Sequence, residues 1–231
     1  MKTERNLTNI SSVMFALNFS ILAFYSLICM TTTYRICESL GAHDFLNTVR
    51  QIPQYPWRMP LQSLSLYALL CGVSYFKSFH PIEHLPFRIA IFVVEVALCA
   101  GITVSVNFYY NGVALLVLAD LVHYIRNNKM RLCIIAILSL MFAFGRYDIV
   151  AQFTNGIAFS AYLDYYNPTT QSWFTGLESL MVCLNILLFV LYMILLFTSQ
   201  KDENERIRKL NEQLNQANDQ LRDYAINMER M

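Results

Sequence analysis

The chain has 231 residues, 56% of them apolar and only 14% charged, and the apolar residues gather in blocks about as long as a bilayer is thick. That pattern excludes an ordinary soluble domain. The formal net charge of +1 gives no reason to expect nucleic acid or an acidic substrate, because the charges are sorted by segment and act locally.

The first segment, Met1 to Arg5, is basic, and the apolar block that follows at 10–34 is too long for the core of a cleaved signal. It reads as a retained first span. Asn6, Asn9 and Asn18 each begin a glycosylation pattern, but the first two fall in the expected cytoplasm and the third inside the span, so they read as chance matches. Five further blocks qualify as membrane helices, at 61–79, 89–108, 109–125, 132–150 and 177–198. The expected fold is all-α: a polytopic transmembrane bundle over 1–198 and a cytoplasmic helix over 199–231. Pro53, Pro56, Pro60, Pro81, Pro86 and Pro168 all fall between or at the edges of blocks, which predicts unbroken spans.

Lys and Arg bias sets the orientation. With a cytoplasmic N-terminus the inner segments carry eleven basic residues, Lys77 among them, and the outer ones only Arg35, Arg50, Arg58 and Arg146. Six crossings with both termini cytoplasmic satisfy this, and Trp57 and Trp173 then lie at the outer interface. Residues 145–176 mix charges with apolar residues and read as interfacial or re-entrant; a seventh crossing would oppose the charge bias.

The six cysteines are scattered with no C-x-x-C pair and read as small apolar residues. Glu95 lies inside the third span and Asp120 inside the fourth, with a turn near Tyr110 bringing them to similar depth. His123 follows Asp120 by three residues on the same helical face. Ionisable groups in a bilayer are costly and face a bundle interior or water, so these three are a candidate sensing site for a ligand, proton or ion, joined by Asn107 or Asn185. The other reading is a polar network that locks packing. A second set, Arg146, Asp148 and Glu178, lies with Tyr147, Tyr162, Tyr165, Tyr166 and Trp173 at the outer face, for ligand contact or interfacial anchoring. His80, Glu83 and His84 match an H-x-x-E-H pattern, but Pro81 and Pro86 flank it and no third ligand is evident. No metal, cofactor or catalytic residue is expected, since P-loop and G-x-S-x-G patterns are also missing from the sequence.

After Thr198 the composition turns polar and a heptad seam begins. Ile207, Leu214, Leu221 and Met228 take the a positions, and Leu210, Ala217, Tyr224 and Met231 the d positions. A 3.5-residue repeat keeps one stripe facing a partner helix, which predicts a parallel homodimeric coiled coil; the other reading is a solvated helix packed on the membrane domain. The frame continues backward through Met193, Phe189 and Ile186, so one helix could join membrane and cytoplasm.

The tail, K-D-E-N-E-R-I-R-K-L-N-E-Q-L-N-Q-A-N-D-Q-L-R-D-Y-A-I-N-M-E-R-M, resembles the juxtamembrane helix of bacterial two-component sensor histidine kinases, in particular those related to nitrate and membrane-fluidity sensors. In that family an L-x-x-Y-A-x-x-x-E-R run, here Leu221 to Arg230, leads into the dimerisation helix with its phosphorylated histidine. The resemblance covers about the last 30 residues. It implies a signal-input region in a bacterial plasma membrane, with the kinase core outside this chain and a response regulator reached only through that core. The stimulus, whether ligand or membrane partner, is not legible. The rival expectation is a small transporter or channel using Glu95 and Asp120.

Overall fold

The structure, a computed structural model, describes residues 2–38, 56–79, 85–124, 128–144 and 158–229. Among them 92% are helical and none lies in a strand. The helices are α1 (Lys2–Glu38), α2 (Arg58–Phe79), α3 (Leu85–Ser105), α4 (Val113–Tyr124), α5 (Asn128–Phe144), the short α6 (Phe159–Leu163) and α7 (Pro168–Glu229). Pro60, Pro86 and Pro168 each sit in a first helical turn, where the amide they lack has no intrahelical partner to lose.

Three segments, Leu7–Arg35, Arg58–Lys77 and Pro168–Arg222, are long and apolar enough to cross a bilayer, and Ile89–Ser105, Val113–Val122 and Leu132–Phe144 are shorter apolar helices. The outside of the bundle is apolar too: Leu180, Leu187 and Ile194 on α7 all face outward. An oily exterior of this kind is stable against lipid and not against water. The chain is a membrane protein.

α1 and α7 are antiparallel. Asn18 meets Asn185 and Tyr25 meets Glu178, so partners advance along one helix as they retreat along the other, and Thr31 meets Tyr166 in the turn just before α7. The N-terminus and the charged tail therefore leave the bundle at the same end. α2 lies beside α1, where the Tyr67 hydroxyl donates to the Phe15 carbonyl at 2.7 Å, and α3 packs on α2 with Leu66 against Gly101.

α4 is the centre. Val113 to Ala119, Leu121 and Val122 are all buried, which is what a helix apolar on every side requires, and it touches α1, α3, α5 and α7. It is also short. Its 12 residues rise about 18 Å, less than the hydrocarbon thickness, and it begins at Val113 where sequence placed a span from 109. The reason lies in the link at 106–112. α3 ends in a Schellman motif, with the Phe108 amide on the Thr103 carbonyl at 2.9 Å and the Asn107 amide on the Val104 carbonyl at 3.0 Å. Asn107 at φ 50° tolerates the left-handed conformation. Phe108 at φ 61° does not, and holding a bulky residue there costs about 1–3 kcal/mol. The sequence marks a turn near Tyr110 through Asn107, Asn111 and Gly112, but not that the helix resumes only at Val113.

α7 also differs from expectation. It starts at Pro168, not at 177, and runs 62 residues without interruption, about 93 Å. Of the mixed segment 145–176, residues 158–167 form α6 and a turn and the remainder from 168 belongs to α7; 145–157 lie outside the described residues.

Candidate functional site

Three polar layers are stacked along the bundle axis. The innermost joins α2, α3 and α4. Lys77 is 3% exposed and pairs with both Glu95, which is 1% exposed, and Asp120, whose Oδ2 accepts from Nζ at 2.5 Å. Glu95 and Asp120 are thus brought together, as their shared depth implied, but through a lysine that charge counting had assigned to a cytoplasmic loop. That assignment is corrected: Lys77 is an internal counter-ion, and ten basic residues remain in the segments expected to be cytoplasmic. Two carboxyls around one ammonium leave surplus acceptors, and Glu95 Oε2 has no hydrogen-bond partner among the described residues. His123 lies in the last turn of α4, but its side chain is outside the described residues, as are His80, Glu83 and His84.

The middle layer is a closed ring of three side chains. Tyr110 donates to Asn18 Oδ1 at 2.6 Å, Asn18 donates to Asn185 Oδ1 at 3.0 Å, and Asn185 donates back to the Tyr110 hydroxyl at 2.9 Å. All three are buried. The ring clamps α1 and α7 onto the link before α4, and Asn185 also reaches the Gly112 carbonyl at 3.5 Å. Gly112 must be small, since a Cβ there would come within 2.6 Å of Asn185 Nδ2. Asn111 secures the other side of the link by donating to the Phe142 carbonyl of α5. Non-helical backbone at bilayer depth survives only where protein groups or a cavity satisfy it, and here both do.

The outer layer surrounds Tyr25, whose hydroxyl donates to Glu178 Oε1 at 2.7 Å. Its ring meets Phe159 edge-on at 4.7 Å and stacks near Tyr110 at 6.0 Å. A cavity of about 630 Å³ opens among these rings, Tyr109, Glu178 and Asn185. Beyond it Thr32 donates to the Tyr162 carbonyl, and Arg35 lies 4.9 Å over the Tyr166 ring, tying the end of α1 to α6 and its turn. Of the expected outer set only Glu178 is placed here; Arg146 and Asp148 lie outside the described residues.

Tyr25, Lys77, Asn18 and Tyr110 were missed from sequence. Asn18 was visible as a polar residue within an apolar block, and so was Asn185. Compared with known protein families, with curated proteins and with solved structures, the chain matches none.

The helix that carries the tail also carries the polar anchors. Glu178, Asn185 and Tyr192 are spaced by seven residues, so one line along α7 reads the outer cavity, the middle ring and the level below it. Past Thr198 the same helix leaves its neighbours: Leu210 is 55%, Leu214 65% and Leu221 67% exposed. Ala217 is exposed as well, while the Tyr224 side chain and Met231 are outside the described residues.

Proposed function

We propose that this chain is the membrane-embedded signal-input region of a sensor histidine kinase: six crossings of a bacterial plasma membrane, both termini cytoplasmic, and a parallel coiled coil leading to a kinase core outside this chain. The observation that carries the reading is the continuity of α7, from polar anchors in the bundle to an apolar a/d seam open to water. An open seam of Ile207, Leu210, Leu214, Leu221 and Met228 demands a partner, and a 3.5-residue repeat selects a second copy of the same helix. The exit of both chain ends at one end of the bundle supports an even number of crossings.

In this reading a stimulus acts on whichever packing of α7 against α1 and the 106–112 link it binds best, and the rotation or shift of α7 changes the dimer seam. A few kcal/mol of differential affinity is enough to reverse such a two-state balance. The response regulator is engaged only through the kinase core, and no nucleic acid takes part.

The test is cysteine crosslinking of the protein in membranes, with Cys133 and Cys183 replaced by Ser. Leu210→Cys and Leu214→Cys, on the seam, are expected to give a dimer band on mild oxidation, and Glu212→Cys, on the opposite face, at most a faint one. Equal yields at all three positions, or none, would refute the coiled coil.

A small transporter remains the rival, and the buried carboxyls of Glu95 and Asp120 within the bundle are the observation in its favour. It is weaker because Lys77 already fills the position an ion would take between Glu95 and Asp120, and because it leaves the tail without a purpose. Proteoliposome flux that depends on Glu95 would reverse this preference.

A further inference from the structure

The outer cavity has a chemistry of its own. Its volume, about 630 Å³, is that of a small-molecule site. Its walls combine the rings of Tyr25, Tyr109, Tyr110 and Phe159 with the carboxylate of Glu178 and the amide of Asn185. Among the described residues no Lys, Arg or His forms an ion pair with Glu178, and its one hydrogen bond comes from the Tyr25 hydroxyl, which leaves most of the carboxylate's acceptor capacity open. The Asn185 amide is already engaged in the middle ring.

We infer that this cavity binds an organic cation, an ammonium group carrying apolar or aromatic substituents, with Glu178 as its counter-ion and the tyrosine and phenylalanine rings as its walls. Each alternative class fails on a specific point. An anion would meet Glu178 with no basic side chain among the described lining residues. A divalent metal needs several oxygen ligands, and the one carboxylate among the described lining residues does not supply them. A neutral lipid chain would strip water from Glu178 and give nothing back. An organic cation answers both halves of the lining, because ring faces attract positive charge and the carboxylate neutralises it.

This site does not depend on the signal-input reading: a cation could bind whether or not the tail pairs, so crosslinking and binding fail separately. The experiment is equilibrium dialysis of radiolabelled benzyltrimethylammonium against the purified protein in lipid nanodiscs, with empty nanodiscs subtracted. One saturable site per chain is expected. Glu178→Gln should weaken the cation at least tenfold while changing binding of the neutral analogue benzyl alcohol less than twofold. Tyr25→Phe keeps the ring and frees the carboxylate oxygen, so it should bind the cation as tightly as the wild type or up to threefold more tightly. The inference is overturned by absence of saturable binding to the wild type, by an unchanged Glu178→Gln, or by equal loss of the cation and the alcohol in that variant. Should Glu178→Gln fail to fold, Tyr25→Phe decides, and a tenfold loss there overturns the site.

Discussion

The two halves of α7 belong to one unbroken helix yet need opposite kinds of neighbour. In the membrane half, Leu180, Leu187 and Ile194 face outward without penalty, while Glu178 and Asn185 are held by Tyr25, Asn18 and Tyr110. In the tail the charged residues need nothing, and it is Leu210, Leu214 and Leu221 that lack cover. Lipid tolerates an apolar surface and penalises an unpaired polar group; water does the reverse. A helix crossing from one solvent to the other must therefore change the face it presents to its partners. In the bundle α7 meets α1 and the 106–112 link through polar contacts, and in the tail the stripe left uncovered is apolar.

This contrast is broken most severely by losing charge pairing inside the bundle. Lys77→Met leaves Glu95 and Asp120 buried without their ammonium and is expected to cost about 3–5 kcal/mol, the range for removing one partner of a buried ion pair. Unfolding in mixed detergent measures it, and a variant as stable as the wild type would mean that water reaches the carboxyls. The converse change is Leu210→Ser with Leu214→Ser. It should reduce the dimer captured by a seam cysteine at Leu221 at least tenfold and remove amide protection beyond Thr198, while bundle unfolding stays at its wild-type midpoint. A shifted midpoint would show that the two halves are not energetically separate. Intermediate in size is the asparagine ring. Asn185→Leu is expected to cost about 1–2 kcal/mol, the scale of an interhelical hydrogen bond in a membrane. The double variant Asn18→Leu with Asn185→Leu should cost less than the sum of the two singles, because the second change removes a group the first had already orphaned. Strict additivity would show that the two residues act independently.

What could be read in advance follows the same division between solvents. Apolar block length located α1, α2, the body of α3 and the membrane part of α7, because lipid imposes a composition that survives without any knowledge of contacts. Heptad spacing picked out the apolar stripe of the tail, whose Ile207, Leu210, Leu214, Leu221 and Met228 stand exposed on α7. The interior arrangement left no such imprint. Tyr25 and Glu178 are separated by 153 residues, Tyr110 and Asn18 by 92, and their pairing is a property of the antiparallel packing of α1 and α7 alone. Lys77 was misassigned for a definite reason: it stands two residues before the end of α2, where a lysine ordinarily reaches the interface, and only the approach of α3 and α4 turns it inward. The start of α4 was misplaced because the aromatic residues Phe108, Tyr109 and Tyr110, counted into the spans, belong to the link that follows the asparagine cap of α3. Glu95 and Asp120 were legible, since a carboxyl within an apolar run is conspicuous in any fold.

The smallest expected effect tests which face of the tail is left to water. Arg208 and Glu212 form an i, i+4 pair at 3.0 Å on the face away from the seam, and both side chains are exposed. The basic residue precedes the acidic one, the less favourable order on a helix. Arg208→Ala should therefore lower tail stability by no more than about 0.3–0.5 kcal/mol, a difference that salt screens away. Crosslinking through Leu214→Cys should stay within twofold of its value without the Arg208 change. A fall of more than fivefold would place Arg208 at a contact surface, with the helices meeting through the charged face, and the contrast between the halves of α7 would then rest on the wrong side of the tail.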